Sequence, residues 1–570
     1  MAHDDGHLVA TMMEIVAVEV SIDNIRRLFA RMLVHSAPQD AQALFHQFAA
    51  DMCDGDSNDA AVVRSALGAI EVFMLEMGRS LTHEDFGFSQ DDLPVDLDVD
   101  GADGRHVRRR LCPTAESIRI ATWERDRLVP MLTAEQRSGY DAVMASIGSD
   151  RSCKVMAVLS SAGCGKTVFA NAVASTVRAR GNVAICVAAS ALAAMLLLGG
   201  TTAHSRFHIP IPANDGTICC FSSGDRILLR SADVILYDEC SMVHEHVADT
   251  LDRSLRDLTH DCRPFGGKVV IFMGDFKQLL PVVRYGRGHE HTMQRCTWWR
   301  HVTFLKFTVN WRAIRNPDFA AMLESIGSGD IAEVIVPASS RVVDVDALIQ
   351  EVYGDNSKLM QHQILALTLE TCKTVNVACL GRWPGLLQEK FATDTYVDCR
   401  DPDGFPHEYI ESLQMPGAPP FSLGLKIGAK YMCIRNIDVS RGLANGTMLQ
   451  LLSVSQRFLQ FRITSGTHTG AVEMLIPVVF HITSESSGLP FAIERRQYPV
   501  IPAFCLSVHK AQGQSLAFIG LIFETDPFAH GQLYVALSRA GGWDSIRVVM
   551  SSGVSSINNL VFRHLLVTDP

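Results

Sequence analysis

The stretch from Val155 to Thr167, VMAVLSSAGCGKT, constrains the fold more than any other part of the chain. A short apolar run of buried-strand character ends in a turn of small residues, and an amphipathic helical pattern follows as far as Gly181. Glycines in such a turn let backbone N–H groups converge on an anion at the start of the helix. The stretch therefore predicts a strand, a phosphate-binding loop and a helix.

Within this loop, Lys166 is expected to reach the β and γ phosphates of a nucleotide, and Thr167 to ligate Mg²⁺ through its hydroxyl. The pattern G-x-x-x-x-G-K-[ST] is incomplete, because Ser160 stands at its first glycine. A serine fits there if its φ is negative. A glycine-rich turn without nucleotide is the alternative.

The charge of the chain is distributed unevenly along the sequence. The net charge is −11 over 570 residues. Residues 1–100 hold 19 acids and 5 arginines, a net of −14, which leaves +3 for the rest. A mildly basic remainder permits a cationic groove for nucleic acid. No apolar run reaches the length of a membrane span, and the scattered cysteines suggest reduced thiols in an intracellular protein.

Two further strands of the predicted parallel sheet end in polar side chains. Asp238 and Glu239 follow an apolar strand, where Asp238 is placed to hold Mg²⁺ and Glu239 to polarise the attacking water. Gln278 follows the strand from Val269 to Met273 and is expected to sense the γ-phosphate. By themselves, two carboxylates after a strand are a weak signal, and a loop cap is the alternative role for Gln278.

Other polar residues are candidates for binding nucleotide or nucleic acid. Thr133 is a plausible N-cap with Gln136 one turn later, where the glutamine either contacts an adenine edge or is solvated. His204 and Ser205 lie in a loop at the sheet edge, where they could hold a sugar-phosphate backbone or form an ordinary turn. Arg108 to Arg110 are either solvated or in contact with phosphate.

Nine ordered motifs resemble those of the PIF-type helicases of superfamily one, which are related to RecD: SSAGCGKT, GGTTAHSRF, DECSMV, GDFKQLLPV, NWR, GLANGT, RRQYPV, SVHKAQGQS and HGQLYVALSR. The segment 78–94, GRSLTHEDFGFSQDDLP, also resembles the helicase part of Helitron-type transposon proteins. The resemblance implies an ATP-dependent DNA helicase that moves 5′ to 3′ on single-stranded DNA and binds DNA junctions. The pathways implied are replication, recombination, repair, telomere maintenance or rolling-circle transposition, in the nucleus if the source is eukaryotic.

The resemblance also implies site residues. Arg312 and Arg539 match the arginines that neutralise the transferred phosphoryl group. The catalytic set is then Lys166, Asp238, Glu239, Gln278, Arg312 and Arg539. The nucleotide-binding set is Gln136, Ser161, Ala162, Gly163, Cys164, Gly165, Lys166, Thr167 and Gly513. The single-strand track is implied at His204, Ser205, His509 and Lys510, with Gln512 and Gly513 linking it to the nucleotide.

The predicted fold class is α/β, with two RecA-like domains, an inserted small β-barrel and an N-terminal helical segment. The predicted domain bounds are 1–82 for the helices, 83–127 for a linker, 128–308 for the first RecA-like domain, 309–400 with 500–570 for the second, and 425–499 for the barrel. With aromatic residues at 7%, the track should rely mainly on phosphate contacts.

Three questions stay open at this point. A transposon-derived protein that binds nucleotide or DNA without turnover is the alternative function, and RNA or a hybrid is an alternative substrate. His244-Glu245-His246 and His289-Glu290-His291 resemble metal pairs, but the third ligand and the tyrosine of a rolling-circle nuclease are not arranged with them.

Overall fold

The computed structural model describes most of the chain in two compact units, formed by Met1–Ala102 with Asn376–Phe504 and by Asp103–Val375 with Cys505–Pro570. The described residues are 5–18, 20–77, 79–94, 114–149, 154–283, 288–354, 358–399, 410–411, 413, 415, 417–551 and 553–566. Arg108 to Arg110 lie outside them. Within these ranges no helix has the length and apolar character of a membrane span, and all thirteen cysteines are free thiols.

The second unit contains two parallel sheets. The strands of the six-stranded sheet lie in the order Thr201–Thr202, Val183–Ala188, Ala232–Asp238, Val269–Gly274, Val155–Leu159 and Thr303–Leu305. Those of the four-stranded sheet lie in the order Cys505–Ser507, His362–Ala366, Phe518–Phe523 and Ile546–Met550. The three strands predicted between residues 155 and 273 are confirmed, and the parallel α/β core with them.

Two of the described helices precede the first strand of this unit, and others connect later strands, since a parallel pair needs a crossover connection. They are Ala115–Leu128, Ala134–Ser146, Lys166–Ala179, Ala191–Leu196, Ala203–Phe207, Ser223–Ser231, Glu245–Thr259, Pro317–Gly327, Val345–Tyr353, Leu369–Arg382, which continues into the first unit, and Gln532–Leu537. A short antiparallel pair joins Ser556–Asn558 to Glu333–Ile335.

One helix occupies part of the segment predicted as a linker. Ala115–Leu128 begins at Thr114, whose hydroxyl accepts from the Ser117 N–H at 3.1 Å. The many charged residues of this helix conceal its pattern, because only Ala121 and Leu128 are buried.

The first unit combines helices with antiparallel sheets. Its helices are Gly6–Val16, Ile22–Ser36, Ala41–Gln47, Ala49–Met52, Ala60–Glu76 and Ser484–Ser487. A five-stranded sheet has the order Val472–Leu475, Leu459–Ile463, Met448–Val454, Lys430–Cys433 and Val500–Pro502. Its two outer strands are not paired with each other in that order, so the predicted barrel is not confirmed.

Two smaller antiparallel sheets complete the first unit. One contains Thr393–Val397, Ala492–Gln497 and Val478–Ile482, and the other pairs Ser422–Leu425 with Gln388–Phe391. The parallel sheet resumes at Cys505, because the residues up to Pro502 pair with antiparallel neighbours.

The N-terminal helices share one core with the five-stranded sheet. Phe29, Phe45 and Met74 pack in the same apolar cluster as Phe458 and Met474.

A buried ion network joins the same two parts. Arg31, 2% exposed, donates to Asp438 at 3.0 Å and to Glu473 at 2.8 Å. Arg27 donates to the same oxygen of Asp438 at 3.0 Å, and Arg441 pairs with Glu473. Burial alone would raise the pKa of Asp438, but Arg31 outweighs it together with the Ser440 hydroxyl and Arg27, so the pKa lies below its ordinary value. The N-terminal helices are thus fixed to the inserted sheet by charge as well as by apolar contact.

Candidate nucleotide site

The phosphate loop connects Val155–Leu159 to Lys166–Ala179. Gly163 and Gly165 have φ of 87° and 77°, a region that glycine reaches without strain. Ser160 is not among the described residues with positive φ, as its place in the pattern requires, and its N–H donates to the Gly274 carbonyl at 3.2 Å. Its buried hydroxyl has no hydrogen-bond partner within the described structure. The loop therefore has the conformation that the sequence predicts.

Lys166 is the first residue of the helix after the loop, and its Nζ donates to the carbonyls of Ser160 at 2.6 Å and Ser161 at 3.1 Å. Phosphate oxygens would compete with these two carbonyls for the ammonium. Burial raises the pKa of the Cys164 thiol inside the loop, so this cysteine stays neutral.

Gln136 reaches the phosphate loop from the preceding helix. Its side-chain oxygen accepts from the Thr133 N–H at 3.1 Å in a capping box, and its Nε2 donates to the Cys164 carbonyl at 3.0 Å. The residue is 4% exposed, so the solvated alternative is wrong. The helix start and the Thr133 cap are confirmed, while the adenine contact stays a prediction.

Asp238 and Glu239 lie where the adjacent strand Ala232–Asp238 ends. Glu239 has a φ of 55°, which is rare for a residue with a side chain and occurs where a fold holds strain. Both residues are buried, at 6% and 9% exposure. Burial, then the charge of Glu239, raises the pKa of Asp238 to about 7, and Lys166 opposes this shift. A cation would therefore be stabilised beside Asp238.

Gln512 and Gln278 each present an unbonded amide oxygen in this region. Gln512 donates from Nε2 to Glu239 at 3.1 Å, and Gln278 donates from Nε2 to Asp275 at 3.1 Å. The Oε1 atoms of both are buried with no partner in the described structure. Such atoms are costly unless a ligand or water donates to them. A Cβ at Gly513 would lie 3.7 Å from the Glu239 carboxylate, so residues 512 and 513 both approach Glu239, and their link between the track and the nucleotide stays a prediction.

Arg312 lies against the phosphate loop. A Cβ at Gly163 would come within 2.9 Å of the Arg312 Cβ. The guanidinium donates to the Ser538 carbonyl at 2.9 Å and to the Ser515 hydroxyl at 2.6 Å. Burial lowers its pKa, while Tyr534 and then Glu239 favour its charge.

Arg539, 1% exposed, donates to the carbonyls of Val535 at 3.0 Å and Gln514 at 3.1 Å. Burial, then the charge of Arg312, lowers its pKa to about 10, and Glu239 opposes this. The arginine is still charged at neutral pH. Arg312 donates to Ser515 and Arg539 to the Gln514 carbonyl, so both arginines bond to the turn in which Gln512 donates to Glu239.

The four predicted track residues lie beside the carboxyl ends of strands. His204 and Ser205 are on the short helix Ala203–Phe207, and His509 and Lys510 are in the turn Val508–Ala511 that follows Cys505–Ser507. Burial lowers the pKa of His204, His509 and Lys510. Both imidazoles are therefore neutral at pH 7, and the role of these residues stays a prediction.

Sequence reasoning missed two aromatic residues near the loop. Trp311 is 50% exposed, and a Cβ at Gly165 would lie 3.9 Å from its Cδ1. Tyr534, 2% exposed, accepts from the Ala162 N–H at 3.1 Å and donates to Asp275 at 3.0 Å. Both stand inside quoted motifs, NWR and HGQLYVALSR, in which only the arginines were given roles.

A cavity of about 650 Å³ borders the other side of the loop at Ser160 and Ser161. Apolar side chains such as Phe304 and Ile314 line most of it, and the ion pair of Lys277 with Glu324 closes its polar end. Lys166, Asp238 and Glu239 are not among its lining residues, so the cavity shares Ser161 with the predicted nucleotide-binding set but does not include these three side chains.

The histidine pairs do not form a metal site within the described residues, where no group of three His, Cys, Asp or Glu side chains could hold an ion. His244 and His291 stack with ring centroids 4.9 Å apart, and Glu245 bonds His291 at 3.1 Å.

Two segments of the chain match profiles of known helicases. A profile of the PIF1-like helicases matches residues 131–335, and a profile of the 2B domain of DNA helicase Pif1 matches residues 408–454. These two segments of the chain are similar to PIF1-like helicases. The human ATP-dependent DNA helicase PIF1 is 27% identical over 435 residues, which are 74% of this chain and 61% of that protein. Pif1 of Campylobacter jejuni is 25% identical, covering 69% and 88%.

Solved PIF1-like structures share the fold. Pif1 from Bacteroides in complex with ADP-AlF3 and single-stranded DNA has a TM-score of 0.56 at 22% identity, covering 76% of this chain and 96% of that one. Pif1 from Candida albicans has a TM-score of 0.52 at 23% identity, covering 73% and 94%. The chain spans 61% of the length of the human and zebrafish proteins that it matches.

Proposed function

We propose that this protein is an ATP-dependent helicase that translocates on single-stranded DNA, with 5′ to 3′ polarity, and acts at DNA junctions. The observation that carries the proposal is that Arg312, which lies against the phosphate loop at Gly163, and Arg539 both donate to residues 514–515, directly after the Gln512 that donates to Glu239. Cationic side chains on the far side of a phosphate site stabilise charge that develops during phosphoryl transfer.

The residues present fit MgATP. The loop offers N–H groups and Lys166 for the phosphates, while Thr167 and Asp238 are oxygen donors of the kind that Mg²⁺ prefers. Magnesium, when bound, would neutralise phosphate charge. The chain's own groups would do the rest: Glu239 would orient and polarise the attacking water, and Gln278 would accept a hydrogen bond from it through its unbonded Oε1.

Translocation would follow from cooperation of the two parallel sheets, which we propose to be two RecA-like domains with the antiparallel insertion as an accessory barrel. Each sheet carries one pair of track residues, His204 with Ser205 and His509 with Lys510. ATP binding would change the spacing of the pairs, and hydrolysis would release it. The domain bounds predicted from the sequence are part of this proposal.

The pathway is proposed more broadly: DNA replication, recombination, repair or telomere maintenance, in the nucleus if the source is eukaryotic. A Helitron-type origin is proposed on the sequence resemblance of the segment 78–94 alone. A transposon protein would use the same motor in rolling-circle transposition.

The test is ATP hydrolysis with and without oligo(dT). We expect single-stranded DNA to stimulate hydrolysis and Lys166→Ala to abolish it with the fold intact by circular dichroism. Equal rates with and without DNA would refute the motor. A forked duplex with either a 5′ or a 3′ tail tests polarity, and DNA, RNA and hybrid duplexes test the substrate class. A protein that binds oligo(dT) and nucleotide without turnover would instead support the transposon-derived binding protein.

A further inference from the structure

The segment His530 to Arg539 lies directly on the residues that follow strand Val269–Gly274. His530 Nε2 donates to the Phe276 carbonyl at 2.7 Å, with its Nδ1 accepting from the Phe562 N–H at 2.8 Å. Gly531 has a φ of 67°, and a Cβ there would lie 2.2 Å from the Lys277 carbonyl. Only glycine permits so close an approach.

The hydroxyl of Tyr534 is the contact in this segment that reaches the phosphate loop. It accepts from the Ala162 N–H and donates to Asp275 Oδ2. The same Oδ2 accepts from Gln278 Nε2. The hydrogen bonds therefore form a continuous series from the loop through Tyr534 and Asp275 to Gln278.

This series determines which end of the Gln278 amide is free. A carboxylate can only accept, so Asp275 requires the amide nitrogen and leaves Oε1 pointing elsewhere. That Oε1 is buried and unbonded in the described structure. Burial, then Asp275, raises the pKa of Tyr534 well above its ordinary value, so the hydroxyl stays protonated and able to donate.

We infer that Tyr534 is a positioning residue for ATP hydrolysis. It orients Gln278 through Asp275 when the helix Gln532–Leu537 packs against the six-stranded sheet. The inference rests on the proposed function. Tyr534 touches the loop N–H and not the reacting atoms, so its hydroxyl governs the rate of turnover and leaves the affinity for nucleotide unchanged. Hydrolysis then requires that the part of the chain containing the four-stranded sheet is docked in this position.

The test is Tyr534→Phe in the full chain, measured with saturating oligo(dT). We expect kcat for ATP to fall about tenfold, the effect of one hydrogen bond to a charged acceptor. KM for ATP, binding of a fluorescent ADP analogue and binding of oligo(dT) are expected to change less than about twofold, since no ligand contact is removed.

Tyr431→Phe is the matched control. Tyr431 is fully buried, accepts from the Lys426 N–H at 2.9 Å and donates to the Gly424 carbonyl at 3.2 Å, within the first unit. It should lower thermal stability by a similar amount with kcat unchanged. If both variants lose kcat in proportion to stability, Tyr534 is merely structural and the inference is wrong.

A double-mutant cycle tests the route through Asp275. In an Asp275→Asn background, Tyr534→Phe should cost less than about twofold in kcat, because the series is already broken. A full tenfold cost in that background would overturn the inference. The outcomes separate it from the proposed function: no ATPase in the unmodified protein refutes both, whereas DNA-stimulated ATPase with an unaffected Tyr534→Phe refutes only the inference.

Discussion

Replacing Arg31 with methionine should destabilise the packing of the N-terminal helices against the five-stranded sheet. The side chain donates from Nη2 to Asp438 and Glu473 and from Nη1 to the Met474 carbonyl at 3.1 Å. Its removal leaves carboxylates of 0% and 4% side-chain exposure without their main partner. Breaking a buried ion pair costs about 3–5 kcal/mol.

The remaining partners decide where in that range the cost falls. Arg27 still faces Asp438 and Arg441 still faces Glu473, so we expect the lower end, about 3 kcal/mol. Hydrogen exchange is the assay. The amides of Ile22–Ser36 and of the strands Leu459–Ile463 and Val472–Leu475 should lose protection together, by about 150-fold.

Arg26→Met is the control on the same helix. Arg26 is also buried, at 6% exposure against 2% for Arg31, and donates to the Met52 carbonyl at 2.6 Å, but its carboxylate partners Asp23 and Asp54 are 76% and 69% exposed and can be rehydrated. We expect a loss of about 1 kcal/mol there. Equal effects of the two variants would refute the reasoning, and so would a loss of protection in the helix alone, because the network is argued to hold both parts.

Three further predictions test the site and the first unit. Gly163→Ala should abolish nucleotide binding, since the added Cβ would lie 2.5 Å from the Asn310 side chain. Gly181→Ala is the control: its φ of 77° is similar, but no atom of the described structure beyond the adjacent residues lies within 4 Å of the added Cβ, so only backbone strain is expected. Retained nucleotide binding in Gly163→Ala would contradict this prediction. Burial lowers the pKa of His35 to about 4, so the fold is not penalised by His35 above its ordinary pKa of 6.5 and loses stability as the pH falls below that value. Hydrogen exchange of Ile22–Ser36 should show a loss of about 2 kcal/mol of stability between pH 7 and 5, and His35→Gln should remove this loss. Affinity for oligo(dT) should fall linearly with salt on logarithmic axes and be independent of sequence; a flat dependence would exclude phosphate contacts.

The local parts of the fold were predictable because their signals are contiguous. The strand, loop and helix from Val155 to Ala179 alternate within a few residues, and Thr133 caps its helix with a partner three residues away. The partners of the strand Ala492–Gln497 could not be predicted, because a single strand in the sequence does not specify the strands it pairs with. The helix Ala115–Leu128 lies in the segment predicted as a linker, because most of its residues are charged or exposed and only two are buried. Thr114, which caps the helix by accepting from the Ser117 N–H, is a sequence signal that could have indicated it.

The candidate site divides in the same way. Lys166, Asp238 and Gln278 could be found from the ends of successive strands, because parallel strands bring those ends to one edge. The places of Arg312 and Arg539 came from resemblance to a family and not from spacing. The role inferred for Tyr534 depends on contacts with Ala162 and Asp275 that no local pattern encodes.

The shared core of the N-terminal helices and the inserted sheet has a consequence for biosynthesis. Phe458, Met474 and Ile476, which complete that core, leave the ribosome long after the helices do. At about 5–20 residues per second the delay is roughly 20–75 s. During this interval the nascent helices present an uncovered apolar face, so chaperone binding to the growing chain should be strongest before residue 476 emerges and should decline once it has.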